Sequence, residues 1–307
     1  MMFFTSGVDV AWWLPPLVAF VIGAVVASGG ISGAFLLLPF QVSVLGFSSP
    51  AVTPTNHLYN TVSIPSGVWR YFREGRMLWP LAGVIVAGTL PGVAVGSWVR
   101  VRLLPDPAPF KLFVGCVLLF IGGRLLWESV LLPLAARIGL AVDRKGAREN
   151  VPVTSVEVTT FTWRRLAYRF GGREWEAGTP WLFLLSAVVG VIGGAYGVGG
   201  GAIIAPFLTT FFELPIYTIA GATLLGTFCT SLFGVIFFAW LAPLWGDGSL
   251  AVAPDWALGT LFGVGGFFGI YIGARIQRYL PQRLIKTILA VIVTALAARY
   301  VIGYFVG

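Results

Sequence analysis

The stretch GGAYGVGGGAIIAPF, residues 193–207, decides how this chain is read. Six of its first nine residues are glycine, after which the chain turns apolar and meets Pro206. Such a run can cradle a phosphate, let membrane helices touch, or break a helix so that backbone N–H groups face a ligand. A phosphate loop needs a preceding strand and a soluble βαβ unit around it. Here the flanks are VVGVIG and AIIAPFL, which leaves packing or a broken helix. Glycines at 197, 199, 200 and 201 are too dense for a packing seam alone, since each costs about 1 kcal/mol of helix propensity. By contrast Gly88, Gly92 and Gly96, and Gly265, Gly269 and Gly273, recur every four residues and read as helix-packing stripes.

The composition sets the environment. Of 307 residues, 57% are hydrophobic and 10% charged, with a mean hydropathy of +0.89. A soluble domain carries about 25% charged residues; this chain reads as an integral membrane protein. The first twenty residues hold no Lys or Arg, so they do not read as a cleaved signal. The net charge of +8 is assigned to membrane-flanking loops and not to nucleic acid. Cys116 and Cys229 each stand alone in apolar runs. No metal site, cofactor or catalytic residue is expected from them.

Shifted by 167 residues, the sequence partly matches itself: Gly30 falls on Gly197, Gly33 on Gly200, and Pro39 on Pro206. Asn56 falls on Thr223, Asn60 on Thr227, and Gly67 on Gly234. After a longer loop in the second half, Gly92 and Gly96 match Gly269 and Gly273, Lys111 matches Lys286, and Arg124 matches Arg299. Matches in this order argue for duplication. Each half divides into five apolar segments, near 12–28, 33–46, 50–70, 78–100 and 110–134, then 181–196, 200–212, 215–242, 255–279 and 284–305. The expected organisation is a first transmembrane repeat over 1–134, a cytoplasmic linker over 135–180, and a second repeat over 181–307.

The second segment of each half is too short to span comfortably. If the first two segments return the chain to their starting side, the halves insert with opposite orientation. The linker holds eight of the twenty Lys and Arg, which places it inside. Arg70, Arg73, Arg76, Arg275, Arg278, Arg283 and Lys286 then also fall inside. Both termini, the loop with Asp247 and Asp255, and the basic residues Arg100, Arg102 and Lys111 fall outside, where Arg100 and Arg102 read either as an outer basic vestibule or as a solvated loop. Within the linker, VPVTSVEVTTFTWRRLAYRFGGREWEAG, residues 151–178, is rich in Val, Thr and aromatics around an FGG turn. It reads as a small β-hairpin. The expected fold class is therefore an all-α polytopic membrane protein with two inverted repeats, short broken or re-entrant helices and a cytoplasmic hairpin.

A short helix following each glycine cluster would point its free N–H groups and positive dipole end into the membrane, towards an anion. Inverted repeats bring two such ends together near the midplane. The candidate binding residues are Ser28, Gly29, Gly30, Ser32 and Gly33 at the first break, and Tyr196, Gly197, Gly199 and Gly200 at the second. Asn56, His57 and Asn60 on the third segment join them, with Thr223 and Thr227 from the other half. His57, the one histidine, could meet an anion, carry a coupling proton, or bond between helices. Arg124 and Glu128 are spaced for an ion pair on one helix face.

GGISGAFLLLPF (29–40) and YGVGGGAIIAPF (196–207) resemble the glycine-rich repeat of the TauE/SafE sulfite exporter family, within the 4-toluene sulfonate uptake permease group. The resemblance covers nearly the whole chain; the first motif departs from it with fewer glycines and two serines. It implies a secondary transporter in a bacterial-type inner membrane, exporting sulfite, an organosulfonate or a related small sulfur anion as the two halves move. The implied partners are that anion and the lipid bilayer, with a homodimer allowed. Rival readings are an anion channel of the same architecture, an intramembrane enzyme or redox carrier, and a membrane scaffold.

Overall fold

A computed structural model describes residues 1–29, 32–75, 77–131, 134, 156–245, 250–276 and 282–306. Gly30, Arg76, Arg278, Asp247 and linker residues 135–155 lie outside the described residues, as do the side chains of Ser28, Glu128, Arg283 and Lys286. The first half holds a small hairpin, β1 (Met2–Phe3) and β2 (Val8–Asp9), then α1 (Leu14–Gly29), α2 (Ala34–Ser43), α3 (Val52–Ser63), α4 (Pro65–Arg73), α5 (Trp79–Arg102) and α6 (Pro107–Leu126). The second half holds α7 (Thr179–Tyr196), α8 (Gly200–Thr210), α9 (Ile216–Leu241), α10 (Trp256–Ile276) and α11 (Gln282–Val306). Among the described residues, six helices are long and apolar enough to cross a membrane. The chain is a multi-pass membrane protein.

The chain's path follows from contacts at the two ends of the bundle. At one end, Ser6 donates from its N–H (3.1 Å) and Oγ (2.8 Å) to Asp255. There too the Ala51 N–H meets the Ala251 carbonyl, and the Arg102 guanidinium lies over Trp245. This is the terminal face. At the other, the linker face, Phe212 lines one surface recess together with Trp181 and Leu184, and Arg124 donates to Thr209 and Thr210. So α7 leaves the linker face and α8 returns to it: the pair is a re-entrant hairpin. The α1–α2 pair does the same from the terminal face, where Ser43 Oγ stands 2.5 Å from the Tyr300 hydroxyl. Each half then crosses three times, in opposite directions.

The halves exchange partners. The closest helix pairs are α5 with α7 and α1 with α10, followed by α6 with α11 and α3 with α10. Glycine makes the first two possible. A Cβ at Gly92 would run into the Ala187 carbonyl oxygen, and one at Gly96 into that of Val191. A Cβ at Gly265, Gly269 or Gly273 would meet the carbonyls of Pro16, Phe20 and Ala24 in turn. The stripes expected to pack do so, each between one half and the other. Outward faces carry exposed Leu17, Val21, Leu119, Phe120, Val188, Ile236 and Val291, the surface that lipid covers.

One segment departs from expectation. The third segment of the first half is two helices, α3 and α4, parted at Ile64 where Pro65 begins a new first turn. Its counterpart α9 runs unbroken for 26 residues, because Leu232 stands where Pro65 would fall. Helix α4 buries no residue and carries exposed Trp69 and Phe72 beside Arg70 and Arg73, as an interfacial helix does.

The linker's hairpin is present and is extended by a third strand. β3 (Glu157–Phe161), β4 (Leu166–Phe170) and β5 (Arg173–Ala177) form an antiparallel meander in that order. Gly171 and Gly172, both with positive φ, make the tight β4–β5 turn. β4 is the docked strand: its Tyr168 hydroxyl lies 2.8 Å from Thr218 Oγ1 on α9, and Phe170 stacks on Tyr217.

Candidate functional site

The glycine run 197–201 is a true break. Gly197 (φ +86°) and Gly199 (φ +80°) adopt the left-handed region that side chains disfavour. The N–H groups of Gly197 and Val198 both bond back to the Gly193 carbonyl, closing α7. Helix α8 starts at Gly200 with glycine at its cap, so no side chain covers its first amides. The first break is finished differently: Ser32 Oγ accepts from the Ala34 N–H at 3.4 Å, and the Ser32 carbonyl accepts from Phe35.

Helix α3 runs between the two breaks and ties them together. Asn56 donates from one amide group to the Ala34 carbonyl (3.1 Å) and to the Gly197 carbonyl (3.0 Å). Its Oδ1 accepts from Gln41 Nε2 at 3.3 Å. Asn60, one turn on, donates to the Val198 carbonyl (2.8 Å) and to Ser231 Oγ (3.3 Å). The Tyr196 hydroxyl donates to the Phe35 carbonyl at 3.1 Å, linking the hairpins directly. Polar groups in the hydrocarbon layer need such partners.

Of the expected residues, Gly33, Asn56, His57, Asn60, Tyr196, Gly197, Gly199, Gly200, Thr223 and Thr227 are all buried and gather on this junction. His57 Nδ1 lies 3.4 Å from Ser231 Oγ, while Nε2 makes no hydrogen bond among the described residues. Thr223 and Thr227 turn their hydroxyls to their own helix, on Ala220 and Thr223 carbonyls. What they offer the break is close packing. A Cβ at Gly199 would stand 2.8 Å from Ser231 Oγ, and one at Gly201 would strike the Thr223 carbonyl. Ser32 is half-buried and its oxygen serves the α2 cap.

Four participants were not expected. Ser231 bridges Asn60 and His57; it continues the Thr223–Thr227 face by one more turn, a signal readable at i+4. Gln41 braces Asn56. Thr53 donates from its hydroxyl to the Ala195 carbonyl at 3.2 Å. Arg100, expected at an outer loop, is fully buried against Thr53 and Phe110. Arg124 stays at the helix end, donating to two threonine hydroxyls of α8. Among the described residues, no cluster of His, Cys, Asp or Glu could hold a metal ion.

The sequence model described as "Sulfite exporter TauE/SafE" matches residues 16–300, both hairpins and all helices between them. The chain belongs to that family. A "Probable membrane transporter protein" of Haemophilus influenzae (strain ATCC 51907 / DSM 11121 / KW20 / Rd) is 27% identical over 119 residues. That alignment covers 38% of this chain and 41% of the relative, so it spans less than half of either. No solved structure matches. The activity that the family's description names is sulfite export. The buried junction described above is what this member offers such a role.

Proposed function

We propose that this protein exports a small sulfur oxyanion or organosulfonate, such as sulfite, bound where the two helix breaks meet on α3. The observation that carries this is the start of α8: a buried helix N-terminus, capped by Gly199 and seated against Thr223, Thr227 and Ser231 of α9. Free amides and a positive dipole end suit an anion. Asn56 and Asn60 act as the frame, since their amides are committed to hairpin carbonyls. The anion's contacts come from the first turn of α8 and from the Ser231 hydroxyl beside it, whereas the Thr227 hydroxyl is committed to the Thr223 carbonyl.

The linker face, rich in arginine, is taken as cytoplasmic in a bacterial-type inner membrane. An inside-negative potential then favours anion efflux by about 2.3 kcal/mol per charge per 100 mV. The close seat of Gly199 and Gly201 on α9 favours a transporter that must rearrange over an open channel.

The test is sulfite, sulfate, thiosulfate, sulfoacetate, taurine and chloride titrated against the purified protein in lipid nanodiscs, read by thermal shift. Saturation at 100 times the dissociation constant stabilises by about 2.7 kcal/mol. One sulfur anion should stabilise the wild type and fail on folded Ser231→Ala. Equal response to every anion, or to none, removes the proposal.

A further inference from the structure

We infer that Arg100 is the cationic element of the anion's route, standing between the helix break and the terminal face. The inference rests on the anion-transporter reading above and adds to it a residue and a charge.

Arg100 lies at the end of α5 with none of its surface exposed. Its Nε donates to Thr53 Oγ1 at 3.2 Å, one terminal nitrogen to the Leu104 carbonyl, and the other to the Ser49 carbonyl at 3.4 Å. Phe110 covers one face of the guanidinium, 3.7 Å from ring centroid to carbon. Every one of these partners is neutral. Among the described residues no carboxylate pairs with it. The buried Asp255 carboxylate is held by Ser6 and by the Leu258 N–H. A buried cation without a counter-charge costs several kcal/mol, and an arginine keeps its proton under that pressure. A small oxyanion is the missing chemistry, because the planar fork matches two of its oxygens.

Two further observations place that anion here. Ser49 Oγ and Ser97 Oγ are buried with no hydrogen-bond partner among the described residues. Ser49 is the residue whose carbonyl Arg100 already touches, and Ser97 lies one turn earlier on the same face of α5. Thr53 connects the group to the break. Its hydroxyl serves both Arg100 and the Ala195 carbonyl, and a Cβ at Gly197 would lie 2.5 Å from its own carbonyl oxygen. One side chain therefore separates the guanidinium from the end of α7.

The competing role is a staple, in which Arg100 only holds helix-end carbonyls, a favourable place for a cation. The two roles separate by experiment. Full-length protein in nanodiscs is titrated with sulfite by calorimetry, for the wild type, Arg100→Gln and Arg100→Lys, with melting temperatures measured alongside. Arg100→Gln should bind sulfite at least about tenfold more weakly. Arg100→Lys keeps the charge but loses the fork, so it should bind sulfite more weakly than wild type and more tightly than Arg100→Gln, and melt lower, since an ammonium on a flexible stem cannot serve all three oxygens. Wild-type affinity in a folded Arg100→Gln makes Arg100 a staple and overturns the inference, leaving the anion-transporter reading intact. If Arg100→Gln does not fold, Ser97→Ala and Ser49→Ala leave all of arginine's own bonds in place. Both should weaken sulfite by about threefold or more, and unchanged affinity in both overturns the inference. Wild type that does not bind sulfite overturns this inference, while the transporter reading falls only if the other sulfur anions fail as well.

Discussion

His57 lies against Gly234 as its repeat mate Leu224 lies against Gly67. A Cβ at Gly234 would stand 2.8 Å from the imidazole Cδ2, and a Cβ at Gly67 2.7 Å from Leu224 Cδ2. The glycine notch is duplicated while its occupant is not. Against the imidazole the second half supplies Ser231, at the position where the first half has Ile64.

Because leucine already fills the equivalent notch, His57→Leu should fold. It removes the unpartnered Nε2 together with the long Nδ1 contact to Ser231, which keeps its bond from Asn60, so stability should change by no more than about 1.5 kcal/mol. Gly234→Ala should cost about 1–3 kcal/mol, because the ring has nowhere to go. Thermal melts in detergent check both. Sulfite flux into proteoliposomes across an imposed pH gradient then tests proton carriage: a folded His57→Leu that keeps its gradient dependence clears His57 of that role.

The glycine stripes give a paired prediction. Gly92→Ala and Gly269→Ala force a methyl into a facing backbone carbonyl, and each should destabilise by about 1–3 kcal/mol. Gly83→Ala and Gly123→Ala have nothing within 4 Å of the new methyl. They should be neutral, or stabilising by up to about 1 kcal/mol through helix propensity. Equal losses in all four variants would show that glycine is needed for something other than the close approach.

Asn56→Ala removes a donor from the Ala34 and Gly197 carbonyls. The Ala34 carbonyl keeps its bond within α2, so the buried group left unsatisfied is the Gly197 carbonyl, and a loss of roughly 1–3 kcal/mol is expected in the melt. Hydrogen exchange should rise around residues 195–200, and around residue 34, in the same variant. Protection lost at only one of the two breaks would mean that Asn56 does not join them.

The sheet's attachment has a predictable pH limit. Burial pushes the Tyr168 phenol up to about 12, with the Thr218 hydrogen bond offsetting part of the rise. A folded value above the ordinary one near 10 means docking is intact below pH 10 and weakens as pH climbs through about 12. Amide exchange in β4 should accelerate over that window, and Tyr168→Phe should abolish the alkaline step while costing about 1 kcal/mol at neutral pH.

Much of this architecture was legible in the chain. Segment limits agree to within a few residues, because long apolar runs end at Pro, Gly or Arg. The break at 197–199 was readable since no helix former would be traded for four glycines without a use. The stripes at 92–96 and 269–273 were readable from their period. What was not legible came from tertiary partners. Arg100 looks like a loop cation until Phe110 and Thr53 close over it. Asn56 and Asn60 look like ligand donors until the hairpin carbonyls claim them. The split at Pro65 was open to reading, but the duplication invited a continuous helix like α9.

The exchange of glycine stripes also governs how the protein is made. Helix α1 finds its seat on α10, and α5 finds its seat on α7, so the N-terminal hairpin is threaded into the bilayer long before its partner leaves the ribosome. Until residues near 265–273 arrive, the carbonyls of Pro16, Phe20 and Ala24 face lipid or a chaperone. Assembly of such sequence-distant pairs is slow, and a chain cut after the first half would leave two glycine-complementary faces bare. The interval between synthesis of α1 and of α10 is thus a window of vulnerability, in which quality control meets an inserted but unfinished protein.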